Sequence, residues 1–309
     1  MSFNNNIIAD KKTASLPGLL FAIVGCSCWG FSGLFAKLLF EDKGIPAMWL
    51  VTVRLITAGL LLLVMTFIKN RNSFYGPWSG RKDIRDLLIF ALFGMMPSQA
   101  CYFLAIQYSN PAAATVLQYV SPVLIMVFFF TRQHRFPQVH EILILITVMA
   151  GVFLMSTHGR LSSLAISPAA LFWGLAAAFA VAVYTLQPAK LIRKYGTMSV
   201  VGWGMLLGGI FLLPFTRIWI VPGIWDRHTV LLTGLVVIIG TVLAFACYVQ
   251  GVKLLGPVEG SMIAGLEPVV SMLVTVRFLH VSLTGMDLIG MLLVIGGVTA
   301  VAICRSRQF

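Results

Sequence analysis

One carboxylate and one guanidinium stand where a lipid-facing chain can least accommodate them. Of ten acidic residues, Glu267 alone lies well inside an apolar run, 257–279, and Arg54 lies inside another, 46–69. Charge at membrane depth is costly, so such side chains are functional candidates by default. At 1.5 Å of rise per helical residue, Glu267 sits roughly 15 Å, and Arg54 roughly 12 Å, from an end of its own run. In a hydrocarbon layer about 30 Å thick both fall near the midplane and can meet in one cavity. Burial and a neighbouring opposite charge act on a carboxyl's proton affinity in opposite senses, so the pair is suited to exchanging a proton. Glu267 can equally receive a substrate ammonium, with Arg54 as its counter-charge or as a carboxylate receptor. The competing reading is structural: a protonated Glu267 bonded to carbonyls freed by Pro268, and an Arg54 that snorkels or caps a neighbouring helix.

Around the same depth lie the aromatic candidates Trp29, Tyr102, Tyr184, Trp203 and Tyr248. Ser32, Gln99, Gln118 and Thr241 add polar groups among them. Aromatic faces with a few polar groups suit small amphiphiles and hold an ammonium by cation–π contact. Helix packing or interhelical hydrogen bonding is an equal alternative for each. Pro97, Pro122, Pro188 and Pro268 are expected to kink their helices, which can assist gating. Gly204 and Gly208 form a small-residue face expected to pack within the fold. Lys37 and Glu41 are spaced for an interfacial i,i+4 pair.

The elements that carry these residues follow from composition. The chain has 309 residues, 59% of them hydrophobic and only 10% charged, with a mean hydropathy of +0.94. No single water-soluble core needs so much apolar surface, so lipid must be the main solvent. The apolar runs are continuous rather than alternating, which predicts helices and argues against an outer-membrane barrel. Ten spans are expected, at 16–40, 46–69, 84–107, 111–131, 138–157, 167–191, 198–218, 229–251, 257–279 and 284–304. With the N-terminus inside, fifteen Lys and Arg face the cytoplasm and five face outward, so both termini are expected to be cytoplasmic. The first span is too long for a signal-peptide core and is expected to be retained. The formal charge of +12 is spread over short loops, which argues for membrane orientation and against a nucleic-acid partner. The cysteines Cys26, Cys28, Cys101, Cys247 and Cys304 show no metal-ligand spacing and read as small packing residues.

An internal repeat organises the spans. Pro111 and Pro257 are 146 residues apart, as are Pro122 and Pro268, Met126 and Met272, His134 and His280, Glu141 and Asp287, and Gly151 and Gly297. Ala36-Lys37-Leu38-Leu39 likewise matches Ala189-Lys190-Leu191-Ile192. Five spans per half is an odd number, so the halves are expected to be inverted, with a binding site where they meet. The expected division is a tail 1–15, a first five-helix repeat 16–157, an outer linker 158–166, a second repeat 167–304 and a tail 305–309.

Trp29-Gly30 followed by Lys37, then Arg54, then the Ala-rich Pro111-to-Pro122 segment form the first half of a pattern. Gly256-Pro257 and Leu266-Glu267-Pro268 form its second half. This order resembles the EamA family of the drug/metabolite transporter superfamily, over roughly residues 16 to 304. The tract from Ala169 through Phe172-Trp173-Gly174 and Tyr195-Gly196-Thr197 to Gly202-Trp203 resembles a subgroup of bacterial inner-membrane permeases within it. The resemblance implies an all-helical inverted-repeat fold around a central cavity, and export of amino acids or related metabolites across the inner membrane. Many members carry a Gly-Glu pair after the fourth and ninth spans. Here those stretches read Thr131-Arg132-Gln133-His134-Arg135 and Arg277-Phe278-Leu279-His280-Val281, without that carboxylate.

The functional expectation is a secondary transporter. The sequence has no phosphate-binding Gly-rich loop and no segment long enough for an ATP-hydrolysing domain, so an ion or substrate gradient must supply the drive. A proton couple on Glu267 is preferred, with an uncoupled facilitator or channel as the alternative. An intramembrane enzyme is disfavoured because all five histidines fall in loops or at helix ends. No cofactor and no metal are expected. The expected partners are a small-molecule substrate, the bilayer and protons, with a monomer sufficient and the oligomeric state open.

Overall fold

The computed structural model describes residues 16–133, 138–157, 166–255 and 263–306. The expected tail 1–15, the His134-Arg135 loop, the linker up to residue 165, Gly256-Pro257 and residues 307–309 lie outside it, as do the side chains of Pro122, Met126 and Glu141. Among the described residues every regular element is helical. The first half contributes α1 (Leu16–Glu41), α2 (Ala47–Lys69), α3 (Arg81–Tyr108), α4 (Pro111–Gln118), α5 (Ser121–Gln133) and α6 (Val139–Thr157). The second contributes α7 (Pro168–Leu186), α8 (Ala189–Tyr195), α9 (Thr197–Thr216), α10 (Arg227–Leu255), α11 (Leu266–Leu279) and α12 (Gly285–Ser306). Six of these, α1, α2, α3, α7, α9 and α10, are long and apolar enough to cross a membrane. Shorter apolar helices run through the fourth, fifth and tenth expected spans.

Local chemistry sets the boundaries. Asn110, Ser167 and Asp226 each accept a backbone N–H of the following first turn and so open α4, α7 and α10. Pro188 ends α7 at Leu186 instead of kinking a span that was expected to continue to 191, because its ring cannot continue the ladder. The fourth span is not one kinked helix either: it breaks at Tyr119 and Val120, and Pro122 falls in the first turn of α5. Pro268 likewise sits in the first turn of α11, where a missing N–H costs nothing. Pro97 directly follows a π-helical turn, Phe90–Met95, inside α3. A second π turn, Ile238–Leu243, interrupts α10 at the matching place.

Packing follows the repeat. α1 lies against α10 and α11, just as α7 lies against α3 and against α4 with α5. α2 packs along α9, and α6 along α12. Exchanging the halves maps these contacts onto one another. Gly204 and Gly208 of α9 do form a packing face, as a Cβ on either would meet Phe90 or Met96 of α3.

Candidate functional site

A cavity of about 290 Å³ lies among α1, α2, α3, α4, α7, α10 and α11. Glu267 comes to it from the first turn of α11, where the helix dipole favours a carboxylate. Among the described residues no side chain reaches that carboxylate within hydrogen-bonding or ion-pair distance.

Arg54 lines the same cavity from α2 but is only 4% exposed and does not pair with Glu267. Its Nε donates to Thr241 Oγ1, and its Nη2 donates to the Gly240 carbonyl at 3.3 Å. Its guanidinium lies over the Phe103 ring, 4.7 Å from the centroid. Both polar partners belong to the π turn of α10, where the widened helix spares a carbonyl. Thr241 Oγ1 in turn donates to the Val236 carbonyl at 2.9 Å, five residues back. Arg54 is thus a tie between the halves as well as a charge on the cavity wall.

The aromatic candidates divide. Trp29 packs edge-on to Phe245 with centroids 5.2 Å apart and tilted on Tyr248 at 4.9 Å, and all three line the cavity. Tyr184 lines it beside Phe90, 5.5 Å away. Tyr102 also lines it, and its hydroxyl shares a 2.9 Å hydrogen bond with Thr115, which donates to Ser271 at 3.3 Å. That chain joins α3 and α4 of one half to α11 of the other. Trp203 lies outside the cavity: its indole N–H donates to the Phe74 carbonyl at 2.9 Å and its ring packs on Trp78, because α9 turns that face toward the link after α2. Thr241 also lies off the wall, behind Arg54.

Three uncharged polar candidates complete the wall. Gln99 and Gln118 line the cavity and have no hydrogen-bond partner among the described residues. Ser32 is 3% exposed and its hydroxyl has no partner among the described residues. A helical serine usually bonds a carbonyl of the preceding turn, so this orphan hydroxyl leaves an unsatisfied donor at the wall. Phe103, Phe245, Ser98 and Thr197 were not anticipated from sequence; of these only Phe245, one helical turn from Tyr248, carried a spacing signal.

A second cavity of about 280 Å³ lies near Lys37, Tyr108 and Asn110. The expected Lys37–Glu41 pair is present at 2.9 Å, and Lys37, which is buried, also donates to the Ile106 carbonyl at 3.2 Å. Its amine caps the C-terminal end of α3. Among the described residues no cluster of His, Cys, Asp and Glu has metal-binding geometry.

A wall with one unpaired carboxylate, one tied guanidinium, stacked aromatics and orphan amide and hydroxyl groups suits a small polar or amphiphilic molecule. Comparison with known proteins agrees with that geometry. The model of the EamA-like transporter family matches twice, at residues 16–157 and 168–303. The uncharacterized inner membrane transporter YicL of Salmonella typhimurium is 36% identical over 94% of this chain and 97% of its own. The threonine/homoserine exporter RhtA of the same species is 24% identical over 92% and 90%. A protein of known crystal structure, 18% identical, shares the fold with a TM-score of 0.62 over 94% of this chain and 98% of its own. The chain therefore belongs to the EamA-like transporter family.

Proposed function

We propose that this transporter is a secondary-active exporter of amino acids or related small polar and amphiphilic metabolites, working by alternating access and coupled to protons through Glu267. The observation that carries the reading is the unpaired Glu267 carboxylate on the wall of a cavity bounded by helices of both halves. A carboxylate with no hydrogen-bond or ion-pair partner among the described residues can take either a proton or a substrate ammonium, which makes the two competitive and thereby couples them. The cavity volume of about 290 Å³ suits a molecule of amino-acid size, and the name of the RhtA relative points the same way. Trp29, Tyr102, Tyr184 and Tyr248 supply the apolar walls, and Ser32 and Gln118 the neutral polar contacts. Trp203 is left out of the substrate site and read as a support.

The two halves, 16–157 and 167–304, act as the inverted units, with 158–166 as the outer linker and both termini cytoplasmic. The protein lies in the inner membrane as a multi-pass chain. The site is built from one chain, so a monomer suffices.

The test is proton flux in liposomes holding a pH dye, with threonine, homoserine and amphiphilic amines as the panel. Substrate-dependent proton movement that Glu267→Gln abolishes is expected. Transport with no proton movement, or with Glu267→Gln unchanged, would mean a facilitator with a structural Glu267.

A further inference from the structure

Two clusters outside the cavity copy one another across the repeat. In the first, Trp49 near the start of α2 donates its indole N–H to the Ile218 carbonyl at 3.3 Å, in the link that follows α9. Its ring packs edge-on against Trp225, just before α10, with centroids 5.5 Å apart at 68°. Beside it Lys43, in the link before α2, pairs with Asp226 at the start of α10 at 2.7 Å. In the second, Trp203 near the start of α9 donates to the Phe74 carbonyl at 2.9 Å, in the link that follows α2. Its ring packs edge-on against Trp78, just before α3, at 5.0 Å and 79°. Lys194, in the last turn of α8 just before α9, pairs with Asp83 at the start of α3 at 2.7 Å. Each clamp has a tryptophan, a carbonyl, a second tryptophan and a lysine–aspartate pair, with the halves exchanged.

The clamps close opposite ends of one seam. α2 and α9 run antiparallel, since the start of each meets the link after the other. Between the clamps Gly59 lies against the Leu206 backbone and Gly209 against the Ile56 backbone, so the two helices approach to main-chain contact. The clamp links are tight as well: Ile224 N–H donates to the Lys43 carbonyl at 2.9 Å, and Ser199 Oγ donates to the Ser73 carbonyl at 2.6 Å.

If the clamps were gates, alternating access would require one to be open whenever the cavity communicates with that end. Both are closed together. The cavity nevertheless extends to Thr197, the first residue of α9, at the end that the Lys194 clamp joins. Closure of that clamp therefore leaves the cavity's reach toward that end intact.

We propose that α2, α9 and their two clamps form a fixed axle that joins the halves throughout the transport cycle, with Trp49, Trp225, Trp203, Trp78 and the two lysine–aspartate pairs as its positioning residues. The axle rests on the alternating-access reading, since it states which part of the molecule does not alternate. Opening and closing then belong to the contacts that cross between the halves elsewhere: the Tyr102–Thr115–Ser271 chain and the helices α4 and α11 that carry it.

The experiment uses a chain whose five native cysteines are replaced by alanine. Into it go the pairs Lys43→Cys with Asp226→Cys, and Lys194→Cys with Asp83→Cys, each joined by a cleavable bifunctional thiol reagent, with counterflow of radiolabelled threonine in liposomes as the readout. The axle predicts that either cross-link, and both together, change the rate by less than about twofold. A loss of about tenfold or more on cross-linking, restored when the reagent is cleaved, identifies a moving gate and overturns the proposal. Recovery on cleavage separates a gate from misfolding. If the wild-type chain carries no threonine, the amino-acid reading fails; in that case, or if only the cysteine-free chain is inactive, the axle is tested by spin-label distances between Glu41 and Val221 and between Tyr75 and Arg193, all exposed positions next to the clamps. One narrow distance for each pair at pH 5.5 and at pH 8, on the order of a unit either side of neutrality, supports the axle. A second population at either pair overturns it.

Discussion

Gly59→Ala is the sharpest test of the α2–α9 seam. A methyl at this position would stand 2.7 Å from the Leu206 amide nitrogen and 3.0 Å from the Gly202 carbonyl oxygen. Comfortable contacts of carbon with heavy atoms need about 3.5 Å or more, so the shortfall is roughly 0.5–0.8 Å. Both neighbours are backbone atoms inside a helix, with no rotamer to give way. The helices must part by about that distance, and a gap of this size along a packed face forfeits a quarter to a half of each affected dispersion contact. Overpacking of this kind costs about 1–3 kcal/mol. Alanine's better helix propensity returns about 0.5–1 kcal/mol, leaving a net loss centred near about 1 kcal/mol and at most about 2.5 kcal/mol. Gly234→Ala supplies the control, because nothing lies within 4 Å of its added methyl. It should stabilise by up to about 1 kcal/mol through propensity alone. Denaturant unfolding in detergent, followed by the fluorescence of the seven tryptophans, reads both. Equal shifts, or a Gly59→Ala protein as stable as its parent, would refute the claim of backbone contact along the seam.

Other outcomes follow from the site. Ser32→Ala should leave stability unchanged or raise it by about 1 kcal/mol, because the buried hydroxyl it removes has no partner, while lowering affinity for the transported substrate. Unchanged counterflow half-saturation would remove Ser32 from the site. Thr241→Val should destabilise by about 1–3 kcal/mol, because it leaves the buried Arg54 Nε without its acceptor and the Val236 carbonyl without its donor. An unchanged denaturation midpoint would show that Arg54 does not depend on this tie.

Much of the architecture was legible because it rests on one-dimensional signals. The lengths of α1, α2, α3 and α9 came from apolar runs, and their ends lie within three residues of expectation. Glu267 and Arg54 stood out because charge is rare in such runs, and both line the cavity. Their relation was not legible. Placing two residues at one depth says nothing of rotation about the helix axes, and Arg54 is turned toward Gly240 and Thr241. The π turns that make those partners available leave no composition signal, since they add one residue to a turn without changing its hydrophobicity. Trp203 was misplaced: it lies at one end of the α2–α9 seam, against the link after α2, and not on the cavity wall. The clamps were hidden because Trp203 read as a cavity residue, and nothing in the sequence links Trp49 to Trp225 or Trp203 to Trp78 across so many intervening residues.

The clamps and the site should answer differently to pH, which offers a way to tell them apart. Lys43, followed by the Thr229 N–H, holds the Asp226 carboxyl well below its ordinary value of 3.8. A group depressed on folding contributes stability that is present above its unfolded value and lost as pH falls through the folded one. The Asp226 contribution is therefore intact above about pH 4 and fades only in stronger acid. The Asp83 carboxylate holds Lys194 above its ordinary value of 10.5. A group raised on folding contributes stability below its unfolded value and loses it as pH rises through the folded one, so this contribution persists to beyond pH 10.5. Neither Asp226 nor Lys194 changes charge between these limits, and the axle should be indifferent to their titration across the physiological range. In that window Asp226→Asn should lower the stability curve by a constant amount with its shape unchanged. Whatever part of a pH dependence of transport near neutrality arises at the cavity, Glu267→Gln should remove it while both clamps stay closed. A pH–stability profile in which Asp226→Asn converges on the parent near pH 6 would contradict the assignment of the pair.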